Sequence, residues 1–316
     1  MTPEGEVRAE AAHQSPDWVR TPERSNALAL RVMSWIALRC GRTASRAVLR
    51  LAILYFLVFA SGPRRHSRRF LARALGRRAS VADLHRHLFS FAAVTLDRVY
   101  LLRERLDLFR IGVQGGELIE SLLAQGQGAF LVGAHMGSFE VMRSASGAHA
   151  QRIAMLMYPD NARKIAAAFE AIAPGAQARV IPLGRMDAML ALRDWLDAGG
   201  LAGMLADRSI PGESMRAGMV TVPFLGREAQ FSDGPFRLAA LLRRPVVFMA
   251  GLYLGDNQYD VRFEPLADFR ERASDVKARE ERIHEAVRAY AARLEALCRS
   301  HPYNWFNFHD FWHEDD

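Results

Sequence analysis

The chain predicts an α/β fold, a mixed central sheet flanked by helices, with a basic, helical, membrane-associating region in front of it. Three observations carry this. After Gly112, short apolar runs alternate with amphipathic stretches, the grammar of a sheet covered on both faces. Residues 26–110 show helical patterns throughout. From Arg31 to Arg78 there are twelve arginines and no Asp or Glu. Half of the 316 residues are hydrophobic and 24% are charged, enough to fill a large globular core.

Residues 1–25 are polar, contain proline and lack periodicity, and are read as a flexible leader. Residues 26–112 form the basic helical region. Its segments are "NALALRVMSWIALRC", "ASRAVLRLAILYFLVFA", "RRFLARALG" and "VADLHRHLFSFAAVTLDRVYLLRERL", with Pro63 breaking the second from the third. The apolar run "LAILYFLVFA" covers residues 51–60, about half of the roughly twenty residues a spanning helix needs. A buried core helix with solvated arginines at its ends is one reading. An interfacial helix on an anionic membrane surface is the other, and twelve unopposed arginines favour it. No signal peptide is evident. Nucleic acid is not expected as a partner, since zinc spacing, RNA-binding aromatics and a helix-turn-helix pattern are all missing. Cys40 and Cys298 stand far apart, which suits a reduced, cytoplasmic setting.

Residues 113–316 are read as the catalytic core. "GELIESLLAQG" is a helix, "GAFLVGAH" a buried strand and "SFEVMRSASGAH" a helix. "RIAMLMY", "ARVIPLG" and "LAGMLAD" are strands, separated by the helices "NARKIAAAFEAIA" and "MDAMLALRDWLDAGG". The helix "GPFRLAALLRR" precedes two strands, "PVVFMAGLYL" and "QYDVRFEPL", that form a hairpin and make the sheet mixed. A long amphipathic helix closes the core, with Ser274 as its cap. The tail residues Trp305, Phe306, Phe308, Phe311 and Trp312 are most simply a clamp folded onto that core.

The candidate chemistry centres on "GAHMGSFE", residues 133–140. Residues five apart diverge by about 140° on a helix, so His135 and Glu140 do not share a helical face. The glycines allow a turn and Ser138 can cap a helix starting at Phe139, which puts His135 at a strand's carboxyl end, where open α/β sheets bind ligands. Glu140 could then reach back to one imidazole nitrogen and leave the other free to take a proton. A strand-end histidine that merely caps backbone groups satisfies the same spacing. No G-x-S-x-G elbow supplies a nucleophile. Further on, a strand ends in Asp207–Arg208, followed by a glycine-containing loop with Arg216 and then "VPFLG". Such arginines suit a phosphate or carboxylate. No metal is expected: His85 and His87 face different sides of a helix, and "HDFWH" at 309–313 only superficially resembles a zinc-protease helix.

In order along the chain, H-x4-E, "MLADR", "VPFLG" and the proline-led "RRPVVFMAG" resemble the four blocks of the lysophospholipid acyltransferase superfamily. The glutamate form and the third block are similar to the lipid A late acyltransferases, the lauroyl/myristoyl transferases. The tail "HPYNWFNFHDFW" resembles bacterial acyltransferases found with aryl-polyene lipid pathways. The resemblance spans about residues 30–312 and implies His135 as general base, oriented by Glu140, with no acyl-enzyme. The acyl donor would be a thioester of acyl carrier protein or coenzyme A, and the acceptor a lipid hydroxyl or amine; no other cofactor is needed. Ser138, Asp207, Arg208, Arg216, Phe224 and Gly226 are the expected substrate-binding residues, with backbone NH groups near Gly137 and Ser138 as oxyanion candidates. The third block lacks the glutamate of the glycerol-phosphate enzymes, which favours a larger or unusual acceptor. The expected location is the cytoplasmic face of a bacterial inner membrane. A lipid or thioester hydrolase using the same pair and a non-catalytic lipid-binding protein are the alternatives.

Overall fold

The computed structural model describes residues 26–145, 151–172, 179–184, 186–208 and 218–312. The leader, residues 1–25, lies outside them.

Three helices come first: α1 (Asn26–Phe59), α2 (Ser61–Leu75) and α3 (Val81–Leu101). Gly41 interrupts α1 with a positive φ of 77°, separating the two helical segments the sequence predicts. The break between α1 and α2 falls at Ala60, and Pro63 sits in the first turn of α2, where its missing NH costs nothing. Gly76 ends α2 in the left-handed conformation. Ser80 and Asp83 form a reciprocal capping box at the start of α3.

The core follows as β1 (Arg110–Gln114), α4 (Gly116–Ala124), β2 (Ala129–Gly133), α5 (Phe139–Ala145), β3 (Ile153–Met157), α6 (Pro159–Ile172), β4 (Arg179–Pro182), α7 (Met186–Asp197) and β5 (Leu201–Leu205). Then come β6 (Met219–Phe224), β7 (Arg227–Ser232), α8 (Gly234–Leu242), β8 (Pro245–Gly255), β9 (Gln258–Asp268) and α9 (Val276–Ser300). Seven strands make one sheet in the order β1-β9-β8-β2-β5-β3-β4. Neighbours are parallel except β8 and β9, the expected hairpin, so the sheet is mixed but mostly parallel.

Both faces of the sheet are buried, which is why its central strands read as unbroken apolar runs. Along β2, Phe130 and Val132 enter one core with α7, α8, α9 and the aromatic tail, while Ala129 and Leu131 enter the other with α3, α4 and α6.

Three local features differ from the sequence reading. Residues 110–114, which straddle the boundary drawn at 112 between the basic helical region and the core, are strand β1, because Arg110 to Gln114 pair in register with Gln258 to Arg262 at the sheet edge. The segment around "VPFLG" is a separate antiparallel hairpin, β6–β7, turning at Leu225 and Gly226, both with positive φ. The cap of α9 is Asp275 rather than Ser274, since the Asp275 carboxylate accepts from Ala278 N at 2.8 Å.

Candidate active site

Parallel pairing of β2 and β5 builds the site. Gly133 lies opposite Leu205, and Ala206 N donates to Gly133 O at 3.0 Å. Two residues beyond each strand, His135 and Asp207 are therefore brought side by side. One Asp207 oxygen, Oδ1, lies 2.8 Å from His135 Nδ1, and Oδ2 accepts the His135 main-chain NH at 3.0 Å. Trp305 Nε1 donates to the same Oδ2 at 2.8 Å.

Asp207 is buried, 2% exposed. Burial pushes its pKa up, but His135, Arg208 and the Trp305 donor together outweigh that and hold the carboxyl well below its ordinary range. An ionised carboxylate only accepts, so Nδ1 carries the ring proton and Nε2 is the basic nitrogen. The His135 side chain is 35% exposed and Nε2 has no partner among the described residues. No Ser or Cys side chain hydrogen-bonds it there either.

The turn after His135 is fixed by a close backbone approach. Gly137 has φ +60°, and a Cβ on it would lie 1.9 Å from Gly251 O. Its NH donates to Asn304 O at 3.0 Å, and Ser138 N donates to Gly251 O at 2.7 Å. Both are consumed inside the protein, so they are not the free oxyanion donors the sequence suggested. Ser138 is also buried, and its hydroxyl accepts from Val141 N at 3.2 Å as the cap of α5.

Glu140 occupies a different place from the one its spacing suggests. No hydrogen bond joins it to His135 among the described residues. In the first turn of α5 it is buried and pairs with Arg98 of α3, Nε to Oε1 at 2.7 Å, while Ser138 Oγ donates to its Oε2 at 3.2 Å. Imidazole orientation falls instead to Asp207.

Arg208 is half-buried beside the pair. Burial lowers its pKa while Asp207 raises it. Its Nε is buried without a partner, and its only hydrogen bond among the described residues is from Nη2 to Phe306 O at 3.3 Å. His309, in the tail, senses Arg208, Asp207, His135 and His66, and its pKa is pushed down to about 4, first by burial and then by Arg208. Sequence reasoning weighed His309 only as part of "HDFWH", a superficial metal motif, and did not place it beside His135. Arg216 lies outside the described residues. Phe224 is fully buried against Phe231, Trp305 and Phe311, and Gly226 sits at the β6–β7 turn with open space around it. These two shape the hairpin beneath the tail rather than line the His135 ring.

Among the described residues Asp233, Glu280 and His284 bring potential metal-ligand atoms within 4.8 Å of one another. Arg237 donates to both carboxylates, at 2.6 Å and 2.7 Å, which makes the group an ion-pair cluster.

The fold and the strand-end pair define an α/β enzyme whose basic histidine sits where open sheets take their substrates. Within that class, the chain belongs to the bacterial lipid A biosynthesis acyltransferase family, whose sequence model matches residues 25–314. No curated protein matches it. Membership makes the chain an acyltransferase and implies an acyl donor and a lipid acceptor.

Proposed function

We propose that the protein moves a fatty acyl group from a thioester of acyl carrier protein or coenzyme A directly onto a hydroxyl or amine of a lipid acceptor. The observation that carries this reading is His135 with Nδ1 on buried Asp207 and Nε2 unpartnered and accessible. Nε2 takes the acceptor's proton as its oxygen or nitrogen attacks the thioester carbonyl. The tetrahedral intermediate then expels the thiolate, which recovers the proton from the imidazolium. Asp207 stabilises that imidazolium, and a positioned base of this kind is worth about 10²–10⁴-fold. With no Ser or Cys hydrogen-bonded to His135 among the described residues, the acceptor itself is the nucleophile.

Arg208 holds a phosphate or other acidic group of a substrate, since its cation has no ion-pair partner among the described residues. Arg216 is proposed to assist it. Glu140 supports the site through Arg98 and the α5 cap, and Ser138, Phe224 and Gly226 support it through packing and turn geometry.

The place of action we propose is the cytoplasmic face of a bacterial inner membrane. No single described helix is long and apolar enough to cross a membrane, but Val32–Phe59 and Ser61–Leu75 form a pair bent by 96°. Leu51, Leu54, Tyr55, Phe56, Val58 and Phe59 are exposed at the end of α1, with Leu51 at 70% and Phe59 at 68%. Arg64, Arg65, Arg68 and Arg69 line a hollow on α2 just past the bend. An apolar elbow next to arginines suits insertion into one leaflet, and the basic surface also suits an acidic carrier protein.

The test is an acyl-carrier thioester assay with and without a lipid extract as acceptor. Acceptor-dependent acyl transfer that disappears in His135→Ala is expected. Full activity in that variant, or fatty-acid release at the full rate without acceptor, overturns the reading.

A further inference from the structure

After α9 the chain turns back over the carboxyl ends of β2 and β5 instead of leaving the core. Asn304 is clamped to β8, its Oδ1 accepting from Tyr253 N at 2.7 Å and its Nδ2 donating to Tyr253 O at 3.0 Å. Phe306 N donates to His135 O at 2.8 Å, and Trp305 pairs with Met136 in an antiparallel bridge. Trp305 is fully buried, with its main-chain carbonyl 2.8 Å from His87 Nε2. Its ring packs edge-on against Phe70, Phe224 and Phe311. Apolar packing accounts for the ring. It does not account for the indole NH, which is spent on Asp207.

An aspartate carboxylate turns easily about its terminal torsion. Here Oδ2 is held by two donors, His135 N at 3.0 Å and Trp305 Nε1 at 2.8 Å, so Oδ1 is left facing His135 Nδ1. We infer that Trp305 is a positioning residue of the catalytic site: its indole NH fixes the Asp207 carboxylate that orients His135, and the C-terminal segment is thus part of the machinery. This inference rests on His135 being the general base. Sharing the carboxylate's charge between donors also limits how strongly it favours the imidazolium. Removing the indole donor concentrates that charge on the Nδ1–H bond, so His135 becomes more basic. Among the described residues the other ionisable groups that couple to the pair are Arg208 beyond β5, Tyr290 and Cys298 on α9, and His309 in the tail, which in turn senses His66 on α2.

Trp305→Phe removes the NH and keeps an aromatic ring. In acyl transfer from carrier thioester to lipid extract, kcat should fall on the order of 10-fold, the scale of losing a hydrogen bond to a charged group, with KM nearly unchanged. The acid limb of kcat/KM should move to higher pH. A purely structural role would instead lower the melting temperature and leave the pH profile in place. If Trp305→Phe folds poorly, replacing Trp305 with 3-benzothienylalanine removes the NH with almost no change in shape and decides the matter. Wild-type kcat and an unmoved acid limb in a folded variant overturn the inference, provided His135→Ala is inactive. An active His135→Ala would instead sink the reading of the site itself.

Discussion

Two buried carboxylates bear on His135, the proposed base, one at the carboxyl end of β5 and one in the first turn of α5. Both are nearly sealed from solvent, Asp207 at 2% and Glu140 at 5%. They differ in what they face. Asp207 accepts from the ring and the main chain of His135 and from Trp305, whereas Glu140 meets Arg98 and Ser138. Nearness in sequence selected Glu140, but register across a parallel sheet selects Asp207. A strand end finds its partner on the neighbouring strand, seventy-two positions away here. The helix that follows the strand carries its first-turn side chains off towards the layer packed on it.

The contrast breaks first at Asp207. Asp207→Asn preserves shape but favours the wrong imidazole tautomer, so acyl transfer should drop by about 10²–10⁴-fold with the circular dichroism spectrum retained. A loss of only a few-fold would remove Asp207 from its role. The next largest effect concerns the elbow. Phe56→Ser and Phe59→Ser should each weaken sedimentation with vesicles of mixed anionic and zwitterionic lipid by about 10-fold or more, the cost of an unburied ring. Acyl transfer to a soluble acceptor should be little changed. Unaltered vesicle binding would mean that these exposed rings touch something other than lipid.

Glu140→Gln should reverse the Asp207 pattern. The rate should fall less than about 10-fold, while stability drops by about 1–3 kcal/mol as Arg98 loses its partner, measured by urea denaturation. A rate loss equal to that of Asp207→Asn would return Glu140 to the reacting centre.

The smallest effect is one of pH. His87 and His309 are held neutral, each pushed down to about 4 chiefly by burial. Between their ordinary value near 6.5 and about 4 the unfolded chain binds more protons than the folded one, so stability falls as pH is lowered through that window. At pH 5 each should cost roughly 2 kcal/mol relative to pH 7. His87→Gln should flatten the fall in melting temperature between pH 7 and pH 5, even if it lowers stability at pH 7, and an equally steep fall would contradict the assignment.

Much of this was legible in the sequence because it depends on short-range pattern. The alternation after Gly112, the β8–β9 hairpin, Ser138 as the cap of α5 and His135 at a strand end all follow from period and turn chemistry. What was not legible depends on long-range pairing. Strand β1 is a strand because β9 offers it an edge, and Leu225 takes a left-handed turn with its NH held by Glu295 on α9 at 2.9 Å. The aromatic tail could be read as a clamp, but nothing in its composition said that Trp305 would land on Asp207. The exposed rings of α1 and the buried rings of the tail have similar composition. Only packing against α2, α3 and the β6–β7 hairpin separates them.

Which carboxylate holds His135 can be seen directly in the hydrogen-bonded Nδ1 proton of its ring by low-temperature proton NMR. Wild type and Glu140→Gln should both show a far-downfield resonance from this proton, and Asp207→Asn should lose it. A resonance that survives Asp207→Asn and vanishes in Glu140→Gln would contradict the account.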